Sequence, residues 1–211
     1  MKILCVSYRD WALNIYENIS KQTQHEYLII NNYESYSDEL VQQFTPDLIL
    51  FYGWSWIVSK EIINNYKCIM LHPSPLPKYR GGSPIQNQII QNKKESMVTL
   101  FFMTENLDDG DIILQEKFSL EGHINEIFNR ITTIGSKLTL KLLNNNYSPK
   151  KQIEKNATYC KRRTPSESEI TLAELETKSS TYLFNKIRML EDPYPNAFIN
   201  VFIVIIRSDN N

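Results

Sequence analysis

The sequence predicts an α/β fold, Rossmann-like, with a mostly parallel twisted sheet flanked by helices and a short C-terminal α+β appendage. Three observations carry that expectation. Short apolar runs alternate with longer stretches whose apolar residues recur every three or four positions. The N-terminal runs are almost continuously apolar, as strands covered on both faces must be. Composition then turns polar after about Asn144, which divides the chain into a sheet domain at 1–150 and an appendage at 151–211 serving substrate binding or dimerisation.

Taken in order, Lys2 to Tyr8 reads as the first strand, and Trp11, Leu13, Ile15, Tyr16 and Ile19 line one side of a helix. Tyr27 to Ile30 is the second strand, ended by two asparagines. A helix over Asp38 to Phe44 and the punctuation Pro46-Asp47 precede a third strand, Leu48 to Tyr52. A helix over Ser59 to Tyr66 leads to a fourth, Cys68 to Leu71. The segment Pro73 to Pro84, with its prolines and glycines, is loop. Ser83-Pro84 then opens a helix, because a serine cap followed by proline suits a first turn. Val98 to Met103 and Asp111 to Phe118 are strands around a polar connection, and Asn125 to Asn144 is the longest helix. A helix near Thr181 to Leu190, a proline turn and a β-branched strand over Val201 to Ile206 complete the chain. That last apolar strand leaves two placements open: pairing across a two-fold axis in a homodimer, or a place inside the appendage.

The chain has 211 residues, with 23 basic against 24 acidic side chains and a net charge of -1. The absence of a basic excess argues against a large nucleic-acid ligand, although a local basic patch is compatible with it. No stretch has the apolar length of a membrane span, and the N-terminus does not read as a signal peptide, so a cytoplasmic protein is expected. Three scattered cysteines, Cys5, Cys68 and Cys160, make neither a disulfide framework nor a metal site. There is no G-x-G-x-x-G after the first strand and no G-x-x-x-x-G-K-[ST]. A dinucleotide-dependent dehydrogenase and a P-loop NTPase are therefore disfavoured.

Chemistry concentrates at two places. His72 ends the fourth strand, where open α/β sheets put their ligands, and the stiff loop after it carries Lys78, Arg80, Gly81, Gly82 and Ser83. Asp108-Asp109-Gly110-Asp111 forms an acidic turn without the spacing of an EF-hand. A carboxylate from that turn facing His72 would orient the ring, as proton transfer requires.

The run from His72 to Gln86, His-Pro-Ser-Pro-Leu-Pro-Lys-Tyr-Arg-Gly-Gly-Ser-Pro-Ile-Gln, followed by Leu107-Asp108-Asp109-Gly110-Asp111-Ile112-Ile113, resembles the folate-dependent formyltransferase family. That family joins a histidine before an S-x-L-P-x-x-R-G loop to an aspartate opening a D-x-G-x-I turn. Here 36 residues separate the two, an interval like that of nucleotide-sugar members. Ala157 to Pro165 and the segment Ile187 to Phe198 resemble elements beyond the catalytic domain, the latter those of sugar formyltransferases. One departure stands out. Where the family usually has asparagine two residues before the histidine, this chain has Met70, which cannot donate a hydrogen bond.

The resemblance implies formyl transfer from N10-formyltetrahydrofolate, without a metal, to an amine. His72 and Asp108 would be catalytic. Trp56, Ile57, Val58, Thr104, Leu107 and Asp108 would hold the cofactor. Arg9, Lys78, Arg80, Gly81, Gly82, Ser83, Arg188 and Tyr194 would meet the acceptor. The short, slightly acidic appendage points to a nucleotide-linked amino-dideoxy sugar destined for a bacterial surface glycan, with no nucleic-acid and no membrane partner. The alternatives are formylation of methionyl-tRNA or glycinamide ribonucleotide, a folate or nucleotide-sugar binding module weakened by Met70, and a hydrolase releasing formate.

Overall fold

The computed structural model describes residues 1–200. Strands β1 (Lys2–Val6), β2 (Glu26–Ile30), β3 (Leu48–Tyr52) and β4 (Cys68–His72) precede the two-residue β5 (Arg80–Gly81) and the longer β6 (Glu95–Phe102) and β7 (Ile112–Ser119). All but β5 join one sheet in the order β2-β1-β3-β4-β6-β7. The first four run parallel, while β6 and β7 are antiparallel to their neighbours. This is the expected mostly parallel α/β fold.

Side-chain alternation along each strand divides the core between the two faces. Leu48, Leu50 and Tyr52 of β3 join Ile3, Cys5, Ile69 and Leu71 on one face; Ile49 and Phe51 join Leu4, Val6 and Cys68 on the other. Helices α1 (Asp10–Ser20) and α5 (Ile124–Leu143) cover the first face through Ile15, Tyr16, Ile127, Ile131 and Leu138. The shorter α2 (Asp38–Phe44) and α3 (Lys60–Asn65) cover the second through Val41 and Ile62. Each begins at a serine, Ser37 or Ser59, whose hydroxyl accepts the backbone N–H of the third residue on. Tyr16 joins β1 to β3. Its hydroxyl donates towards the carbonyls of Val6 (3.0 Å) and Leu50 (2.7 Å) and accepts from the Tyr52 N–H.

Because α1 and α2 pack on opposite faces, the chain reverses direction in the sheet between β1 and β3. The crevice beyond that switch point is bounded by Arg9 after β1 and by Gly53 to Trp56 after β3.

Helix α4 (Pro84–Ile90) follows the stiff loop. Beyond residue 150 the chain returns to that loop, where β8 (Tyr159–Cys160) pairs in parallel with β5. Periodicity does not reveal β5 or β8, since two residues are too few to show a pattern. Helices α6 (Leu172–Thr177) and α7 (Ser180–Arg188) follow; α6, a short turn-and-a-half with no buried residue, is too brief for apolar periodicity to announce it. Phe198 exchanges backbone hydrogen bonds with Ser168 and Ile170, within the appendage. The strand expected over Val201 to Ile206 lies outside the described residues. Among the described residues no helix is long and apolar enough to cross a membrane.

The appendage contains a partly buried ion pair, with Lys186 Nζ 2.8 Å from both oxygens of Glu174. Partial burial pushes the Glu174 carboxyl up, but Lys186 and the Thr171 N–H outweigh it and hold the group down at about 2, from an ordinary 4.5. A depressed folded value means the pair stabilises above pH 4.5 and is lost as pH falls towards 2. Glu174→Gln is therefore expected to cost about 2 kcal/mol at neutral pH, discounting for partial solvent screening. The thermal midpoints of variant and parent should converge on acidification from pH 5 to 2.

Candidate active site

One cavity of about 670 Å³ opens at the carboxyl ends of the parallel strands. Its wall carries His72 from the end of β4 and Asp108 from the turn after β6, the strand beside β4. Both side chains are buried, and His72 Nδ1 lies 3.7 Å from Asp108 Oδ2. His72 Nε2 is 2.7 Å from the Tyr79 carbonyl, which can only accept. Nε2 therefore carries a proton, and Nδ1 is the nitrogen that faces Asp108.

Asp108 Oδ2 accepts the Gly81 N–H at 2.7 Å. The loop after β4 and the turn after β6 thus meet at one carboxylate oxygen. Both are tightly constrained. Gly81 has φ +96°, and a side chain there would press on the Cys160 carbonyl at 2.5 Å. Tyr79, Ser83 and Asp108 itself occupy the left-handed region at φ 61°, 50° and 51°, which disfavours side-chain-bearing residues. Thr104 and Asn106 each donate to a carboxylate oxygen of Asp109, so the turn is braced from inside.

The other expected site residues separate into two groups. Arg9, Trp56, Ile57, Val58, Gly81, Gly82, Ser83, Thr104, Leu107 and Tyr194 all line the cavity with His72 and Asp108. Lys78, Arg80 and Arg188 do not, which corrects their assignment to the acceptor. Lys78 is exposed and is not among the residues lining the cavity. Arg80 is 1% exposed and is held by Gln152, Glu154 and Tyr159. Arg188 is buried at a distance, donating to the carbonyls of Leu120 (2.7 Å) and Gly122 (3.0 Å), and so ties α7 to the loop before α5.

Sequence reasoning missed several lining groups. The Trp54 indole N–H is buried on this wall with no hydrogen-bond partner among the described residues, and the buried Gln86 amide faces the Tyr194 hydroxyl. Cys160 arrives from β8, which pairs with β5, and Arg162 from the segment just beyond it. The Arg9 guanidinium lies over the rings of Tyr8 (4.5 Å) and Tyr194 (5.4 Å), and among the described residues it has no ion-pair partner. Burial pushes the Tyr194 hydroxyl up, against the opposing influence of Gln86 and Arg9. Met70 lines the cavity two residues before His72, as its position on β4 requires. Among the described residues no cluster of His, Cys, Asp and Glu is arranged to hold a metal ion.

A buried imidazole–carboxylate pair in a cavity at the carboxyl ends of a parallel sheet suits proton transfer. Residues 12–143 match the Formyl transferase family, and the chain belongs to it. Methionyl-tRNA formyltransferase of Rickettsia felis is 33% identical over 174 residues, which is 80% of this chain and 56% of that protein. The chain thus spans little more than half the length of that relative. A solved methionyl-tRNA formyltransferase from Clostridium thermocellum superposes with a TM-score of 0.86 at 33% identity, covering 95% of this chain and 88% of that one. A sugar N-formyltransferase from Shewanella sp. FDAARGOS_354 covers 100% of this chain and 99% of its own, with a TM-score of 0.76, but at 20% identity it shares the fold alone.

These similarities overturn the nucleotide-sugar acceptor, its surface-glycan role and the expectation of no nucleic-acid partner. The physical reasons lie in the residues that carried those expectations. Arg188, from the segment resembling sugar enzymes, is an internal anchor. The net charge of -1 averages over a surface on which Arg9 and Arg162 share one cavity wall.

Proposed function

We propose that the protein transfers a formyl group from N10-formyltetrahydrofolate to the α-amine of methionyl-tRNA. The observation that carries this reading is the buried His72–Asp108 pair in the cavity of a chain one-third identical to methionyl-tRNA formyltransferases. The wall fits a reduced pterin in kind. Trp54, Trp56, Ile57, Val58 and Leu107 supply apolar surface, and the unpartnered Trp54 N–H offers a donor for a heteroatom edge. The donor supplies an electrophilic formyl carbon.

The attacking amine must arrive neutral and shed a proton as its bond to that carbon forms. Asp108 takes that proton, directly or through one water, while its Oδ2 stays fixed by the Gly81 N–H, and gives it to N10 of the donor as the carbon–N10 bond breaks and tetrahydrofolate leaves. His72, anchored through Nε2 to Tyr79, turns Nδ1 towards the reacting centre and in its protonated form meets the negative charge growing on the formyl oxygen. Met70 supplies no donor, so this duty falls to His72 and to main-chain N–H groups. Arg9 and Arg162 meet the phosphate charge of the acceptor's single-stranded end. We assign the sheet domain, 1–150, the catalytic pair, and the appendage, 151–211, a share of the acceptor wall.

The test offers purified protein the folate donor with methionyl-tRNA, uncharged tRNA, glycinamide ribonucleotide and a set of amino-sugar nucleotides in parallel. Formyl-methionyl-tRNA is expected as the main product. Formylation of one of the small amines alone, or acceptor-independent formate release as the main product, would reject the assignment.

A further inference from the structure

The carboxylate that accepts the proton sits on a turn whose backbone occupies a disfavoured region, so something must hold it there. The internal bonds of the turn run to Asp109, not to Asp108. What grips Asp108 from outside is Gln152, which lies beyond the stretch matched to the family. Its Nε2 donates to the Asp108 carbonyl and the Gly110 carbonyl, both at 2.8 Å. Its Oε1 accepts from Arg80 Nε at 3.2 Å and Nη2 at 3.0 Å.

This amide has one possible orientation, because a carbonyl cannot donate and a guanidinium cannot accept. All four of its hydrogen-bonding positions are used. Its two carbonyl partners bracket Asp109, so the amide spans the turn. Arg80 is itself fixed by Glu154 at 2.9 Å and by the Tyr159 hydroxyl at 2.9 Å. Lys150, two residues before Gln152, exchanges backbone hydrogen bonds of 2.8 Å with Ile112 just past the turn. The return segment is thus strapped across the turn at both ends.

We propose that Gln152 is a positioning residue for Asp108, and that Arg80 anchors it. The buried guanidinium fixes the amide, the amide fixes the turn, and the turn holds the carboxylate against the Gly81 N–H and His72. The catalytic part of this inference rests on the formyl-transfer reading. A displacement of about 1 Å at a reacting group can cost on the order of 100-fold in rate.

Gln152→Glu is the informative variant, since it keeps an acceptor for Arg80 and loses both donors to the turn. It is expected to lower kcat about 30- to 100-fold, with KM for donor and acceptor within about twofold of the parent. Because Gln152 acts through Asp108, adding Gln152→Glu to Asp108→Asn should lower the residual rate by less than about twofold. Amide hydrogen exchange at Gly81, whose acceptor is the Asp108 carboxylate, should quicken about tenfold or more. A parent-like kcat, a full multiplication of the two losses, or unchanged Gly81 exchange would overturn the proposal. If the parent formylates no amine, the catalytic reading fails, and the exchange measurement alone decides the positioning.

Discussion

Asp108→Asn is expected to lower kcat for formyl transfer by two to four orders of magnitude, the range supplied by a positioned general base. The substitution is nearly isosteric, and the amide oxygen still accepts the Gly81 N–H that now bonds Oδ2 at 2.7 Å. What it removes is the carboxylate to which we assign the amine's proton and which faces Nδ1 of His72 at 3.7 Å. Thermal stability should change little and substrate KM by no more than a few-fold. A variant retaining more than about a tenth of parental turnover in a steady-state transfer assay would remove Asp108 from the mechanism.

The second large effect is expected at Gly110. A methyl group there would stand 1.8 Å from the Phe102 carbonyl oxygen and 2.9 Å from its carbon. Both atoms are backbone at the end of β6, so no rotamer change relieves the clash. Gly110→Ala should cost about 3 kcal/mol or more, at the upper end for an overpacked site. The distortion falls on the turn that carries Asp108, one of whose restraints is the Gly110 carbonyl itself. Transfer activity should therefore fall well before the protein unfolds. Chemical denaturation and turnover measured on one sample at increasing temperature check this, and parent-like values in both would refute the packing argument.

Both predictions concern a turn whose importance is visible in the sequence and whose restraints are not. The alternation of strands and helices is local: apolar periodicity, serine caps and proline punctuation each act within a few residues. His72 at the end of a strand and Asp108 after the neighbouring one follow from that alternation with little further information. The sugar acceptor failed for a different reason. It rested on a composition average and on short C-terminal elements, and neither specifies which way a side chain points. Arg188 reads the same on paper whether it meets a nucleotide or caps two carbonyls inside the fold.

By itself, then, the sequence determined the parallel sheet, its helical layers and the two loops that bring an imidazole and a carboxylate to one edge. Only the tertiary structure decided how those groups are held. Gln152 meets the Asp108 turn across 44 residues, and Arg80 meets Gln152 across 72. The tertiary structure also buried Arg80 and Arg188 and placed Arg9 beside Tyr194. Such contacts join residues far apart in the chain, and each becomes favourable only after the sheet has closed the intervening loops. No local pattern encodes them, because the partner that satisfies each polar group is supplied by a distant element.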